Sequence, residues 1–436
     1  MTKLPIITAI DLGSDKCVTL IATGNAVTNQ LEVIGISVVE SRGIRKSMIV
    51  DLEAAISTIS ESVESAERMA GLKVKSAYVS LNGHHIASQN SKGVVAVAAP
   101  NQEISTEDVQ RVIESARAIS VPTDRTILHV IPRDFRIDSQ GGIKDPTGMM
   151  GIRLESSAHI VTSLQAALKN TERCITDMGI HVDGFVFAGL ASSESIATET
   201  EKELGVAVVD IGAGTTTMCV YVDGAVEFST AIPIGARHIT QDLALGCSIS
   251  IEAAEKIKIA LSTTDQVEIM PRPGESKDEL TKRRKKADQL DPKELGITEG
   301  IGIQSRKMLI ERIMAPRMNE IFVLLGQQLQ QADLFPMIPA GVVITGGGAE
   351  TVGIENVAKK TLRLPVRLGV PPQLPGLTAD ILRPSFSTSI GLLIYGWNQK
   401  EVQPPSQQIN LPDFSAYISF DKISSLIQKI IKTFLP

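Results

Sequence analysis

Alternating strand and helix signals along 436 residues predict an α/β protein built from several structural units. Three observations carry that prediction. Apolar strands such as ITAID and SAYVSL flank an amphipathic helix from Asp51 to Ala70, and a strand, aspartate, small-residue turn and second strand occur together twice, about half a chain apart. The composition, 43% hydrophobic and 21% charged, folds instead of staying disordered. At roughly 100 to 200 residues per domain the length excludes a single small module. The 43 basic side chains against 49 acidic ones leave a net charge of -6, the wrong sign for gripping nucleic acid through the overall field, so no nucleic-acid partner is expected.

The start, MTKLPIITAIDLGSDK, reads as strand and turn, because Asp11, Asp15 and Lys16 break any leader-like apolar run. In the helix that follows, Asp51 reads as N-cap and Gly71 as stop, with Leu52, Ile56, Ile59, Val63, Ala66 and Met69 forming one core-facing stripe. From 83 to 162 the texture changes: VVAVAA, a helix behind a Ser105-to-Asp108 capping box, and the strands TILHVIP and AHIVTS predict an inserted α+β subdomain. Residues 271–300, with Pro271, Pro273, Gly274 and the run Lys282 to Lys286, read as a solvated loop. Cys17, Cys174, Cys219 and Cys247 show no CxxC spacing and share no cluster with the six histidines, so neither a zinc site nor a disulfide framework is suggested. No window reaches the ~18 to 20 apolar residues of a membrane span, and a cytosolic compartment is expected.

The two repeated patterns are AIDLGSDKCVTLIA, with Asp11 and Gly13, and VVDIGAGTTTMCVYV, with Asp210, Gly212 and Gly214. Each predicts a hairpin with its acid at the strand end. Small turn residues let backbone N–H groups approach a polyphosphate, opposed aspartates suit a magnesium ion held through water, and Lys16 adds a cation. A third element, AGVVITGGGAE, runs a strand into Gly346, Gly347 and Gly348, where bare backbone would bed a nucleotide base; a plain strand-to-helix turn fits it equally.

The order of two phosphate turns and a glycine triplet resembles the actin, Hsp70 and sugar kinase superfamily. More specifically, SRGIRKSMIVD, LHVIPRDFRID, GIKDPTGMMGIRLE, FAGLASSESI, ELGVAVVDIGAGTTT, AGVVITGGGAE and FSTSIGLLIYG resemble the FtsA family of bacterial actin-like cell-division proteins, over about Ile7 to Trp397. That resemblance implies two ribonuclease-H-like halves around a nucleotide cleft with an FtsA-type inserted α+β subdomain. It divides the chain into a first half (1–82, 163–197 and a return at 376–397), the insert (83–162), and a second half (198–223 and 306–375) carrying an outer lobe (224–305). It implies ATP and Mg2+ as ligands, with phosphate contacts from Gly13, Ser14, Lys16, Gly212, Gly214, Thr215 and Thr216, and metal contacts from Asp11 and Asp210. It also places Glu255 and Lys258, one helical turn apart, at the ribose and base, although an ordinary helix-surface ion pair fits those two as well.

One departure bears on mechanism. Where relatives of this fold that hydrolyse ATP generally carry a glutamate or glutamine, FAGLASS puts Ala188, whose methyl orients no water, so turnover is expected to be slow, absent or assembly-dependent.

After Trp397, NQKEVQPPSQQINLP reads as a flexible linker over 398–419. The terminal segment 420–436 then places Phe420, Ile423, Leu426, Ile427, Ile430, Ile431, Phe434 and Leu435 on one side of a helical wheel and Lys422, Lys429 and Lys432 on the other. About 24 Å of helix is too short to span a bilayer, which predicts a foot lying in the lipid interface. The resemblance further implies self-assembly into actin-like protofilaments, FtsZ and other division proteins as partners, and the cytoplasmic face of the membrane at the division septum. A PilM-like pilus-assembly module and a superfamily kinase or ATPase are the alternative readings.

Overall fold

The computed structural model describes residues 5–25, 30–98, 103–263, 270–272 and 275–402. The chain divides into two units after Trp397. The tail positions expected to meet lipid and the expected linker from residue 403 onward lie outside the described residues, whereas residues 398–402, also expected as linker, instead end a helix that runs to Val402.

The first half opens with an antiparallel meander, β1 (Ile6–Leu12), β2 (Lys16–Asn25) and β3 (Gln30–Glu40). A short hairpin, β4 (Ile44–Arg45) and β5 (Met48–Ile49), leads into α1 (Leu52–Ala70). The Asp51 carboxylate accepts from the Ala54 amide at 3.1 Å, and Gly71 stops α1 at φ 69°, which is the expected cap and stop. Ile59, Val63 and Ala66 are buried as expected, but Met69 is 60% exposed. The buried stripe runs on through Ala70, which packs against Gly35 of β3, and Met69 falls outside it.

After β6 (Ser76–Leu81) the chain leaves to build a separate antiparallel sheet. Its elements are β7 (Ala87–Ala96), α2 (Thr106–Arg117), β8 (Arg125–Ile137), β9 (Gln140–Ile143) and β10 (Arg153–Leu164), in the order β7-β10-β8-β9. The Ser105–Asp108 capping box is formed in both directions, and Ile104, Val112, Phe135 and Leu154 make a small core of their own. The chain returns through α3 (Gln165–Thr176) to β11 (His181–Phe187), which completes a mixed sheet β11-β6-β1-β2-β3, and continues into α4 (Ala188–Ile196) and α5 (Glu199–Leu204).

The second half repeats the plan. A meander of β12 (Val206–Ile211), β13 (Thr216–Val222) and β14 (Ala225–Ile232) is followed by an outer lobe containing α6 (Ala236–Cys247), α7 (Ile251–Thr263), α8 (Lys277–Ala287) and the small pair β15 (Gln289–Leu290) and β16 (Gln304–Ser305). Then α9 (Arg306–Met308) runs through a π-helical turn into α10 (Ala315–Gln331), before β17 (Val342–Thr345), α11 (Ile354–Leu362) and β18 (Val366–Leu368). The sheet order β14-β13-β12-β17-β18 matches β3-β2-β1-β6-β11 strand for strand, with the last two strands parallel in each. Finally α12 (Ser387–Val402) packs against α4, and Gly391 makes this possible, since a Cβ there would lie 1.7 Å from the Ala191 carbonyl oxygen. One core cluster joins the halves, drawing Ile7 and Leu20 from the first sheet, Val208 and Cys219 from the second, and Leu190 and Leu392 from the two helices.

The basic run Lys282 to Lys286 corrects an expectation: it is not a loop but part of α8. Ser276 and Glu279 form a capping box, Asp278 and Glu279 fill the first turn, and Arg284, Lys285 and Lys286 fill the last, each matching the helix dipole. No residue of α8 is buried, so the solvated part of the expectation stands.

Candidate functional site

Both aspartate-tipped hairpins form, in matching register: Asp11 pairs with Val18 and Leu12 with Cys17, while Asp210 pairs with Thr217 and Ile211 with Thr216. Each turn is closed by its first glycine, whose amide donates three residues on: Gly13 to the Lys16 carbonyl at 3.1 Å, and Gly212 to the Thr215 carbonyl at 2.9 Å. Those two amides are therefore occupied. The amides of Ser14, Asp15, Ala213 and Gly214 have no acceptor among the described residues. The two turns also touch, because a Cβ on Gly214 would sit 2.9 Å from Ser14 Oγ. Four unpaired donors in adjacent turns are the nest that a chain of phosphates fits.

The acids lie behind these turns. Asp11 accepts from Ser80 Oγ at 2.8 Å and from Ser389 Oγ at 3.3 Å, and Asp210 accepts from Thr388 Oγ1 at 2.7 Å. Thr388 and Ser389 sit in the first turn of α12, so one helix start bridges the carboxylates of both halves. Burial raises the Asp11 carboxyl above the ordinary range despite its hydroxyl donors. Burial likewise pushes Asp210 up to about 6, with the Asp11 charge adding to the rise. The described residues contain no group of three or more His, Cys, Asp or Glu placed to hold a metal. Two carboxylates fit magnesium, which keeps several waters and shares its shell with phosphate oxygens.

Lys16 stands beside the first turn with Nζ 3.4 Å from the centre of the Phe386 ring. Burial lowers its ammonium to about 8, against the pull of Asp11 and Glu350, so it remains largely charged at neutral pH. Glu350 is itself paired with Arg383. Thr215 and Thr216 are both buried, and they differ in use: Thr216 Oγ1 donates to the Ile234 carbonyl at 2.8 Å and supports the turn from behind.

The glycine triplet is accounted for in two different ways. A Cβ on Gly346, which has φ 82°, would lie 2.2 Å from Asp210 Oδ1, and one on Gly348 would lie 2.3 Å from Ile211 Cγ2. Both glycines are needed for packing against the end of β12. Gly347 alone has room, its nearest neighbour being Ser385 Cβ at 3.7 Å. Glu255 and Lys258 are paired at 2.8 Å on α7, and both reach Thr240 of α6: its hydroxyl donates to Glu255 at 2.6 Å and Lys258 donates to it at 3.0 Å. The start of α6 is fixed to the second turn, with Ala236 N donating to the Gly212 carbonyl at 2.9 Å. Ala188 begins α4 and is buried, and the adjacent Phe187 amide donates to His129 Nε2 at 2.9 Å.

Several cleft residues escaped the sequence reading: Asp15, Ser47, Ser80, Asn82, Ala213, Thr388 and Ser389. Ser80 and Asn82 close a strand, and Thr388 with Ser389 lies inside FSTSIGLLIYG, so position at an element end beside an apolar run was the available signal.

Two half-sheets of identical strand order meeting at paired aspartate turns define an actin-like fold. A solved structure titled PilM-PilN type IV pilus biogenesis complex agrees, superposing with a TM-score of 0.61 over 91% of this chain and 99% of that one, at 14% identity. Family models add the particular kind. "SHS2 domain inserted in FTSA" matches residues 83–162, and "Cell division protein FtsA" matches residues 207–391. The chain is 36% identical over 411 residues to the cell division protein FtsA of Pseudomonas aeruginosa, covering 94% of each, and 36% identical over 404 residues to that of Borreliella burgdorferi, covering 91% of this chain and 92% of the relative. It belongs to the FtsA family of cell division proteins.

Proposed function

We propose that the cleft binds ATP with Mg2+ and that the protein, assembled as actin-like protofilaments on the cytoplasmic face of the membrane at the division septum, tethers the tubulin-like FtsZ ring there. One observation carries the nucleotide part: two aspartate-backed turns, one from each half, bring four unpaired amides together beside Lys16. The amides of Ser14, Asp15, Ala213 and Gly214 would hold phosphates with Lys16, Asp11 and Asp210 would hold the metal through water, and Gly347, Glu255 and Lys258 would meet the nucleoside. The nucleotide, when bound, supplies a polyanion that rewards closing the halves. Ala188 offers no group to orient water, so ATP serves as a conformational ligand with slow or no turnover.

Membrane attachment rests on the amphipathic sequence 420–436, and FtsZ and other division proteins as partners rest on family membership. Among the described residues no helix is long and apolar enough to cross a membrane. A single foot binds reversibly, and many feet aligned on a filament bind firmly through effective concentration. Liposome flotation of the full chain against one ending at Gln403 tests this. The full chain should float and carry FtsZ with it; equal flotation of the two would refute the foot, and FtsZ recruitment by the shortened chain would refute the tether. The pilus-assembly alternative is the weaker, since it rests on fold likeness at 14% identity.

A further inference from the structure

Between the two turns sits a third loop that the nucleotide reading leaves unused. The turn joining β4 to β5 consists of Lys46 and Ser47, both left-handed, with φ 48° and 57°. Neither residue is glycine or asparagine, so the conformation costs on the order of 1 kcal/mol or more per residue and persists because its surroundings hold it.

Those surroundings are the phosphate turns. The Ser47 amide donates to Ser14 Oγ at 2.7 Å, and the Ser47 hydroxyl lies 3.0 Å from Thr215 Oγ1. Thr215 Oγ1 also accepts from Asn82 Nδ2 at 3.1 Å. A Cβ on Gly214 would meet the Lys46 Cα at 2.9 Å. One first-half hairpin thus contacts the first turn at Ser14 and the second at Gly214 and Thr215. The Lys46 side chain is exposed and forms no ion pair among the described residues.

We propose that the Lys46–Ser47 turn is a third phosphate-contacting element, which reads the terminal phosphoryl group of a bound nucleoside triphosphate; this deepens the nucleotide reading and rests on it. The two turns converge on Ser47, so phosphates held from both sides meet beside it, and Lys46, the neighbouring residue whose backbone packs on Gly214, carries an ammonium with no ion pair among the described residues and a charge matched to the last group of the chain. A diphosphate held by the same two turns leaves that place to the turn's own hydrogen bonds. The hairpin would then couple the number of phosphates to the closeness of the halves, because Ser47 and Asn82 grip the second half through one hydroxyl.

Titration calorimetry of the full chain with Mg-ATP and with Mg-ADP tests the assignment. Lys46→Ala should weaken Mg-ATP by about tenfold, the worth of one charge-assisted hydrogen bond, and leave Mg-ADP within about twofold. Lys46→Arg should recover most of the difference, and Ser47→Ala should lower the ATP-to-ADP preference less. Lys16→Ala, beside the first turn, should weaken both nucleotides together. Equal losses for ATP and ADP in Lys46→Ala, no loss at all, or tighter binding of both would overturn the proposal while leaving the cleft a nucleotide site. Failure of the unaltered chain to bind either nucleotide would instead remove the reading beneath it. Lys46 is exposed, so the variant should melt with the parent, which separates a lost contact from a lost fold.

Discussion

The two halves share a strand order and a turn, and they differ in where each breaks the pattern to grow something new. The first half interrupts its sheet between the fourth and fifth strands, after β6, to insert the β7-β10-β8-β9 subdomain. The second interrupts between the third and fourth, after β14, to build the outer lobe of α6, α7 and α8. Neither interruption breaks the chain of the aspartate hairpin, because each leaves after a later strand, although the start of α6 packs back on the second turn through Ala236 N and the Gly212 carbonyl. A duplicated fold can therefore diversify at its loops while the turn geometry of Asp11 and Asp210 stays matched.

The glycine behind the second turn offers the sharpest way to break that match. Gly346→Ala would put a methyl 2.2 Å from Asp210 Oδ1 and 2.6 Å from the Ile211 carbonyl, at φ 82°. Neither β12 nor its acid can yield freely, so a loss of about 2 to 4 kcal/mol is expected in thermal or urea unfolding. Gly347→Ala has open space and a permitted φ, and should stay within about 1 kcal/mol while weakening ATP if a base lies on it. If both variants melt alike, the division of the triplet into packing and ligand positions is wrong.

The acids themselves come next. Asp210 has a folded pKa raised to about 6 from 3.8, so the native state holds its proton more tightly than the unfolded chain does. Stability from this group is highest below about pH 4, falls as pH rises to about 6, and is flat above. Asp210→Asn should therefore raise the nucleotide-free unfolding free energy at pH 7, by on the order of 3 kcal/mol, while removing magnesium-dependent ATP binding. His159 carries the opposite sign. It is buried between Asn90 Oδ1 at 2.7 Å and Ser229 Oγ at 2.8 Å, and burial lowers it to about 3, so its contribution is lost as pH falls from about 6.5. In a melting series across pH 4 to 8, Asp210→Asn should make stability rise more steeply with pH between about 4 and 6 and His159→Gln should make it rise less steeply over the same window; changes of the same sign in both would overturn the assignment.

What the sequence disclosed follows from range. The Asp11 and Asp210 hairpins, the Asp51 cap and the Ser105 box are local patterns, each read within a few residues. α8 is equally local, since its Ser276-to-Glu279 capping box spans four residues, but Pro271, Pro273, Gly274 and the dense basic run point to a loop when read without that box. Other features were not legible in principle. Ser47 meets Thr215 across 168 positions and Thr388 meets Asp210 across 178, and no periodicity encodes such pairs. Gly346 and Gly348 looked like a ligand bed because an empty Cβ position reads the same in sequence whether backbone or base fills it.

The smallest expected effect separates a surface pair from a ligand contact. Lys258 is largely buried against Glu255 and Thr240, while Glu255 is 43% exposed, so the pair is worth at most about 1 kcal/mol of stability. Lys258→Met keeps the buried stem and removes the charge, and should shift the melting midpoint only slightly. If the pair also meets the nucleoside, ATP affinity should fall several-fold more than that stability change accounts for. Inorganic triphosphate, which has no ribose or base, should bind the variant as it binds the parent. Parallel losses for ATP and triphosphate would reduce Glu255 and Lys258 to an ion pair that happens to sit one helical turn from the cleft.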